Sequence, residues 1–160
     1  MIIRPIQKSD NQTIKHILQT DLKEAHLDIP GTAYFDDNLD TLNDFYDDNP
    51  QRGYFVVVDD DGQVVGGAGF AEFDLDAGIA ELQKLYLDKS ATGHGLSYRL
   101  IDTVEKHAKE AGYKKLYIET HHNLKAAIHI YPKAGFTRLD GPIKQSHHSG
   151  AMDGFYVKDI

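Results

Sequence analysis

Residues 82–104 constrain the chain more than any other segment. Leu82-Gln83-Lys84-Leu85-Tyr86-Leu87 reads as an apolar strand, and Thr92-Gly93-His94-Gly95 then opens into a run whose apolar members, Leu96, Leu100, Ile101, Val104 and Ala108, recur at helical spacing. A helix starting so soon after a strand points several backbone N–H groups, unpartnered within the helix, past the strand's end. The macrodipole adds partial positive charge there, and glycines at 93 and 95 remove Cβ atoms that would keep a ligand from those amides. Such a turn suits a phosphate or pyrophosphate. Two other phosphate-binding turns fit worse. A P-loop needs Gly-Lys-Ser/Thr, which the chain lacks, and a dinucleotide fingerprint from Gly93-x-Gly95 needs a third glycine where Tyr98 stands.

The rest of the chain alternates strand and helix patterns without repeats or linkers. Residues 2–5 read as a strand, and Ser9 or Asp10 is placed to cap a helix carrying Ile14, Ile17 and Leu18. After the break at Asp28-Ile29-Pro30-Gly31, a second helix is expected over 39–46. Strands over 54–58 and 64–73 are joined by Asp60-Asp61-Gly62, a hairpin signal, and another runs over 79–87. Beyond Ala111-Gly112 come a strand at 115–120, a helix at 124–133, and strands at 136–139 and 155–157, with a polar loop over 141–150. Early hairpins followed by strand–helix–strand predict an α/β fold, a mixed sheet flanked by helices, in one domain over residues 1–160. Gly66, Gly67 and Gly69 within one strand predict a bulge or a close backbone approach.

Composition narrows the function classes. A chain of 160 residues, 41% hydrophobic and 10% aromatic, buries a core and is not disordered. The absence of cysteine excludes disulfides, thiolate metal sites and cysteine nucleophiles. The start of the chain turns polar by Gln7, which does not read as a signal peptide, and no apolar run approaches membrane-spanning length, so a cytoplasmic protein without a membrane partner is expected. A formal charge of −8 argues against a nucleic-acid partner, which needs dense Lys and Arg.

The turn Ser90-Ala91-Thr92-Gly93-His94-Gly95, the series Asn123, Ala126, Tyr131, Gly135-Phe136, and the opening Ile3-Arg4-Pro5 with Ser9-Asp10 together resemble the GNAT family of N-acetyltransferases. In that family an Arg/Gln-x-x-Gly-x-Gly/Ala turn holds the pyrophosphate of acetyl-CoA; both glycines match, and Ser90 stands where Arg or Gln is usual. The resemblance implies a partly splayed mixed sheet, acetyl-CoA as co-substrate, and acetyl transfer to a primary amine of a small molecule, amino acid or peptide. It implies that Thr92, Gly93, His94, Gly95, Leu96 and Ser97 surround the pyrophosphate. Leu85, Tyr86 and Leu87 would flank the pantetheine arm where the sheet splays, with Asn123 and Ala126 beyond. Asn123 has a second reading, as a cap for the helix beginning at Leu124.

Acyl transfer to an amine needs a proton donor for the departing thiolate and a proton acceptor for the ammonium, which titrates near ~10 when free. The resemblance assigns the first role to Tyr131. For the second, Glu81 is the first choice because many family members carry an acid there, and Glu119 is the reserve. A non-catalytic acyl-CoA-binding or regulatory module with the same fold is the alternative. No metal is expected: there is no His-Glu-x-x-His run, and the side chains of His121-His122 and His147-His148 would diverge on extended backbone. His148 and Asp153 are candidates for contacting the acceptor. A second copy of the chain is a partner the sequence leaves open.

Overall fold

A computed structural model describes residues 1–160. Its elements are β1 (Ile2–Pro5), α1 (Asn11–Glu24), α2 (Leu42–Asp47), β2 (Gly53–Val58), β3 (Val64–Asp74), β4 (Ile79–Leu87), α3 (Leu96–Glu110), β5 (Lys115–Thr120), α4 (Lys125–Lys133), β6 (Thr137–Leu139) and β7 (Gly154–Asp159). The strands form one seven-stranded sheet in the order β1-β2-β3-β4-β5-β7-β6. Only β4 and β5 pair in parallel, across the crossover through α3. No helix is long and apolar enough to cross a membrane.

Alternation along the strands sorts the core onto the two faces of the sheet. Tyr54, Val56 and Val58 of β2 pack with Ile14, Leu18 and Leu22 of α1 and with Leu42 and Tyr46 of α2. Phe55 and Val57 face the other way, into the larger cluster holding Leu96, Leu100, Ile101, Val104 and Ala108 of α3, with Leu116 and Ile118 of β5 and Tyr131 of α4.

The sheet forks in its middle. β4 pairs with β5 only from Ile79 to Glu81, opposite Lys115 to Tyr117, and the strands part beyond Glu81. On its other edge β4 carries a bulge: its register against β3 shifts between Tyr86↔Gly67 and Gln83↔Gly69, and Lys84 within it takes φ of 52°. The β3 glycines make room for this. A Cβ at Gly67 would lie 2.5 Å from the Tyr54 ring, one at Gly69 equally close to it, and one at Gly66 would lie 2.4 Å from Leu87. The Tyr54 hydroxyl donates to the Lys84 carbonyl (2.8 Å) and so holds the bulge. Close approach, expected from the glycine spacing, is thus the physical reason for it.

Two local expectations differ from the structure. A 3-10 turn at Lys8–Asp10 precedes α1, and the Asp10 carboxylate makes no cap bond to it. It instead closes a capping box on that turn by accepting the Gln7 amide at 2.7 Å, and it accepts two further bonds from Arg4. The helix expected over 39–46 divides into a 3-10 turn at Leu39–Thr41 and α2, and both pieces bury their leucines.

Candidate active site

Where β4 leaves β5, the space between them opens into a cleft of about 370 Å³, closed at the sides by α1 and α4. Leu85, Tyr86, Leu87, Thr92, Ser97, Asn123, Ala126 and Tyr131, all expected to flank a cofactor or its chemistry, line it. Leu85 and Leu87 are half-buried and also pack on the larger core, so their side chains serve both purposes.

Gly93, His94 and Gly95 lie on an exposed turn at the start of α3, whereas the Leu96 side chain is buried in the core. The first backbone bond of α3 runs from the Arg99 amide to the Gly95 carbonyl (3.3 Å), and the amides of residues 93–98 have no partner in the chain. Gly93 and Gly95 hold φ of 81° and 71°, a left-handed backbone that disfavours side chains, and a Cβ on either meets nothing within 4 Å. The result is a run of unpartnered donors on an exposed turn at a positive helix end, which fits a phosphate group. Ser90 plays no part in that cradle: its hydroxyl and amide both bond Asp88, at 2.6 and 2.9 Å.

Asn123 corrects one of its two readings. Helix α4 has Leu124 at its cap position with no side-chain cap bond, and the Asn123 amide group donates instead to the Ala25 carbonyl (2.8 Å). The carbonyl at the end of α1 is unsatisfied by its own helix, and it is the stronger claim on the amide. Asn123 therefore fastens α1 across the cleft to the segment before α4.

Tyr131 is 5% exposed, with its ring against Phe136 and Tyr156. Its hydroxyl makes no hydrogen bond within the chain. Burial, with the neighbouring Tyr156, pushes the phenol well above its ordinary range and keeps it protonated.

A smaller cavity of about 70 Å³ shares Leu82, Lys84, Tyr86, Glu119 and Leu124 with the cleft and lies on its other side. Glu81 lines it, at the last pair of the fork. One Glu81 oxygen accepts the Gln83 amide group at 2.8 Å, and the Tyr46 hydroxyl orients that amide by donating to its oxygen at 2.9 Å. Burial, against the help of Gln83 and with the charge of Glu119, raises the Glu81 carboxyl above the usual range. Glu119 is otherwise engaged. It accepts hydroxyls from Ser146, from Ser149 at 2.6 Å and from Tyr117 at 2.9 Å, which ties the 141–153 loop to β5.

Asp36 and Lys84 form an ion pair at 2.8 Å, with side chains 10% and 9% exposed, and His148 Nε2 meets the other Asp36 oxygen at 2.9 Å. Burial opposes the Asp36 charge, but the His148 bond and the Lys84 ammonium outweigh it and hold the carboxyl below its usual range. Sequence reasoning missed Asp36, Gln83 and Lys84, because they carry no motif and meet only through the fold. Of the two loop candidates, His148 lines the small cavity. Asp153 turns away to bond His122 and the His122 amide.

The histidine pairs do not diverge. The rings of His121 and His122 stack at 4.3 Å beside Asp153, and those of His147 and His148 lie 4.9 Å apart beside Asp36. Neither pair lies on a strand, so the alternation of extended backbone does not apply. His122 Nδ1 bonds Asp153, and His148 Nε2 bonds Asp36 at 2.9 Å. Nδ1 of His121 accepts the Asn123 amide (3.1 Å), and Asp36 is neutralised by Lys84.

Comparison with known proteins agrees with this geometry. A model of the Acetyltransferase (GNAT) family matches residues 12–136. The chain is 35% identical over 141 residues to an uncharacterized N-acetyltransferase, YjgM, of Escherichia coli K12, covering 87% of this chain and 83% of that protein. Its fold matches an acetyltransferase of the GNAT family from Staphylococcus aureus Mu50 with a TM-score of 0.83 at 18% identity, over 99% of this chain and 98% of the other. It also matches YncA from Salmonella typhimurium, a structure holding acetyl-CoA, with a TM-score of 0.73 at 21% identity over 99% and 93% of the two chains.

Proposed function

From the premise that the chain belongs to the GNAT family of acetyltransferases, we propose that it moves an acetyl group from acetyl-CoA to a primary amine of a small molecule, amino acid or peptide. One observation carries this reading: the fork opens on two adjoining cavities, a cleft lined by Tyr131 and by Thr92 and Ser97 beside the unpartnered amides at the start of α3, and a smaller one lined by the Glu81 carboxyl. The 93–98 amides hold the pyrophosphate, and the backbone of β4 freed from β5 is available to the pantetheine amides. The amine enters by the small cavity, which joins the cleft at Leu82 and Lys84.

The chemistry follows from the groups at the fork. The amine nitrogen bonds to the thioester carbonyl carbon, Glu81 takes a proton from that nitrogen directly or through water, and the C–S bond then breaks. The departing sulfur takes its proton from Tyr131. Holding both partners in one cleft replaces an encounter with a positioned reaction. Glu81 suits the base role better than Glu119, since Glu119 already accepts three hydroxyls while Glu81 accepts one amide.

A screen of amines with acetyl-CoA, read by thiol release, tests the proposal. Acetylation of at least one amine, with one thiol released per product, is expected. CoA binding with no amine acetylated would contradict it and leave the non-catalytic binding module.

A further inference from the structure

Thr120 Oγ1 is the one buried side-chain polar atom in the chain without a hydrogen-bond partner. The residue is 2% exposed and ends β5, beyond the fork, where it lines the large cleft together with Leu82, Ile118 and Tyr131. Its backbone is fully used: Thr120 pairs with Gly154 of β7, and its carbonyl accepts the Asp153 amide at 3.0 Å. Its methyl group is used as well. A Cβ at Gly154 would lie 2.9 Å from Thr120 Cγ2, so β7 packs closely on that branch of the side chain. Only the hydroxyl does nothing for the fold.

A buried hydroxyl without a partner destabilises a protein, and valine would fill the same volume on a strand without that cost. The residues beside Thr120 in the cleft wall decide what the hydroxyl suits. Leu82 and Ile118 are apolar, the Tyr131 phenol is neutral, and the charged Lys84 and Glu119 of the same wall are already taken by Asp36 and by three hydroxyls, so an ionic group of a ligand gains no complement there. A neutral acceptor does. We infer that Thr120 is a binding residue for the acyl-pantetheine arm, its Oγ–H donating to a carbonyl oxygen of that arm, amide or thioester, when acetyl-CoA fills the cleft. This rests on the acetyl-CoA reading above and adds to it a side chain that neither the turn at 90–95 nor the Asn123–Phe136 series contains.

The test compares Thr120→Val and Thr120→Ser with the unmutated protein, by thermal melting without ligand and by calorimetric titration of acetyl-CoA and CoA. Thr120→Val is expected to melt about 2–4 °C higher without ligand, and to bind acetyl-CoA about tenfold more weakly, which is roughly 1.4 kcal/mol. Thr120→Ser keeps the donor and binds as the unmutated protein does. A merely structural threonine would give the opposite sign in the melt and no change in binding. Unchanged acetyl-CoA affinity in Thr120→Val overturns the inference, and so does a lower melting temperature, which would show that the hydroxyl has a partner inside the fold. The two failures are separable. Absence of CoA binding by the unmutated protein defeats the cofactor reading itself, whereas equal binding by both proteins defeats Thr120 alone.

Discussion

The start of α3 borders the cleft at Thr92 and Ser97 and offers backbone there, in the six consecutive unpartnered amides of residues 93–98. The fork meets the smaller cavity beside it with side chains from separate segments, Glu81 to Lys84 on β4, Glu119 on β5 and His148 in the loop before β7, which Tyr46 on α2 and Asp36 before α2 hold in place. A site made of amides depends on one local conformation and tolerates most side chains except where glycine sets that conformation. A site made of side chains depends on every member and on its protonation. Binding should therefore fail at the turn and chemistry at the fork.

The largest expected effect is at the fork. Tyr131→Phe keeps the ring against Phe136 and Tyr156 but deletes the proton donor, so kcat should fall about 100-fold with CoA affinity unchanged. Steady-state kinetics beside calorimetry separates the two quantities, and a loss of affinity equal to the loss of rate would merge the regions that this division keeps apart. Next is the turn. Gly95→Asp forces a side chain onto φ of 71° and sets a carboxylate where the amides point, so CoA affinity should fall at least tenfold, about 1.4 kcal/mol, in a folded variant. Unchanged affinity would remove the turn from the site.

A third effect depends on pH. The Glu81 carboxyl lies above its usual range through burial, so it gains its proton-accepting form later on the pH scale than an ordinary carboxylate. In the unmutated enzyme kcat/KM should rise as pH passes that raised value. Glu81→Gln should lose most activity on the low-pH side, roughly tenfold or more, and recover toward pH ~10, where free amine is already neutral. If Glu119→Gln rather than Glu81→Gln flattens the profile, the base is Glu119.

The smallest effect concerns stability. Asp21, on the α1 wall of the cleft, is raised to about 6 by burial and by the charges of Glu24 and Asp88. A carboxyl raised on folding favours the folded state while it is protonated, and that contribution is lost as pH climbs through about 6. Asp21→Asn should therefore melt above the unmutated protein at pH 7 and match it near pH 4. Equal melting temperatures at both values would show that Asp21 titrates normally.

The same contrast explains what the sequence disclosed. The glycine turn and the start of α3 were legible because their cause is local: glycines 93 and 95 and the helical spacing from Leu96 lie within a few residues of each other. Strands 79–87 and 115–120 were legible for the same reason, and the structure places them there. The Asp36–Lys84 pair spans 48 residues and Lys84 reaches Asp36 from a bulge that the local sequence does not announce. Asn123 showed as a helix cap because caps are local, while its actual partner, Ala25, lies 98 residues away. Glu81 was placed by family resemblance; its burial and its bond to Gln83 needed the fold.

Titration of CoA into uniformly ¹⁵N-labelled protein, followed by amide resonances, tests the division of the cleft most directly. The amides of Gly93, His94, Gly95, Leu96 and Ser97 should move most as CoA is added, with those of the 141–153 loop moving little. Resonances of the turn that stay still while CoA binds and shifts others would contradict a pyrophosphate held at the start of α3.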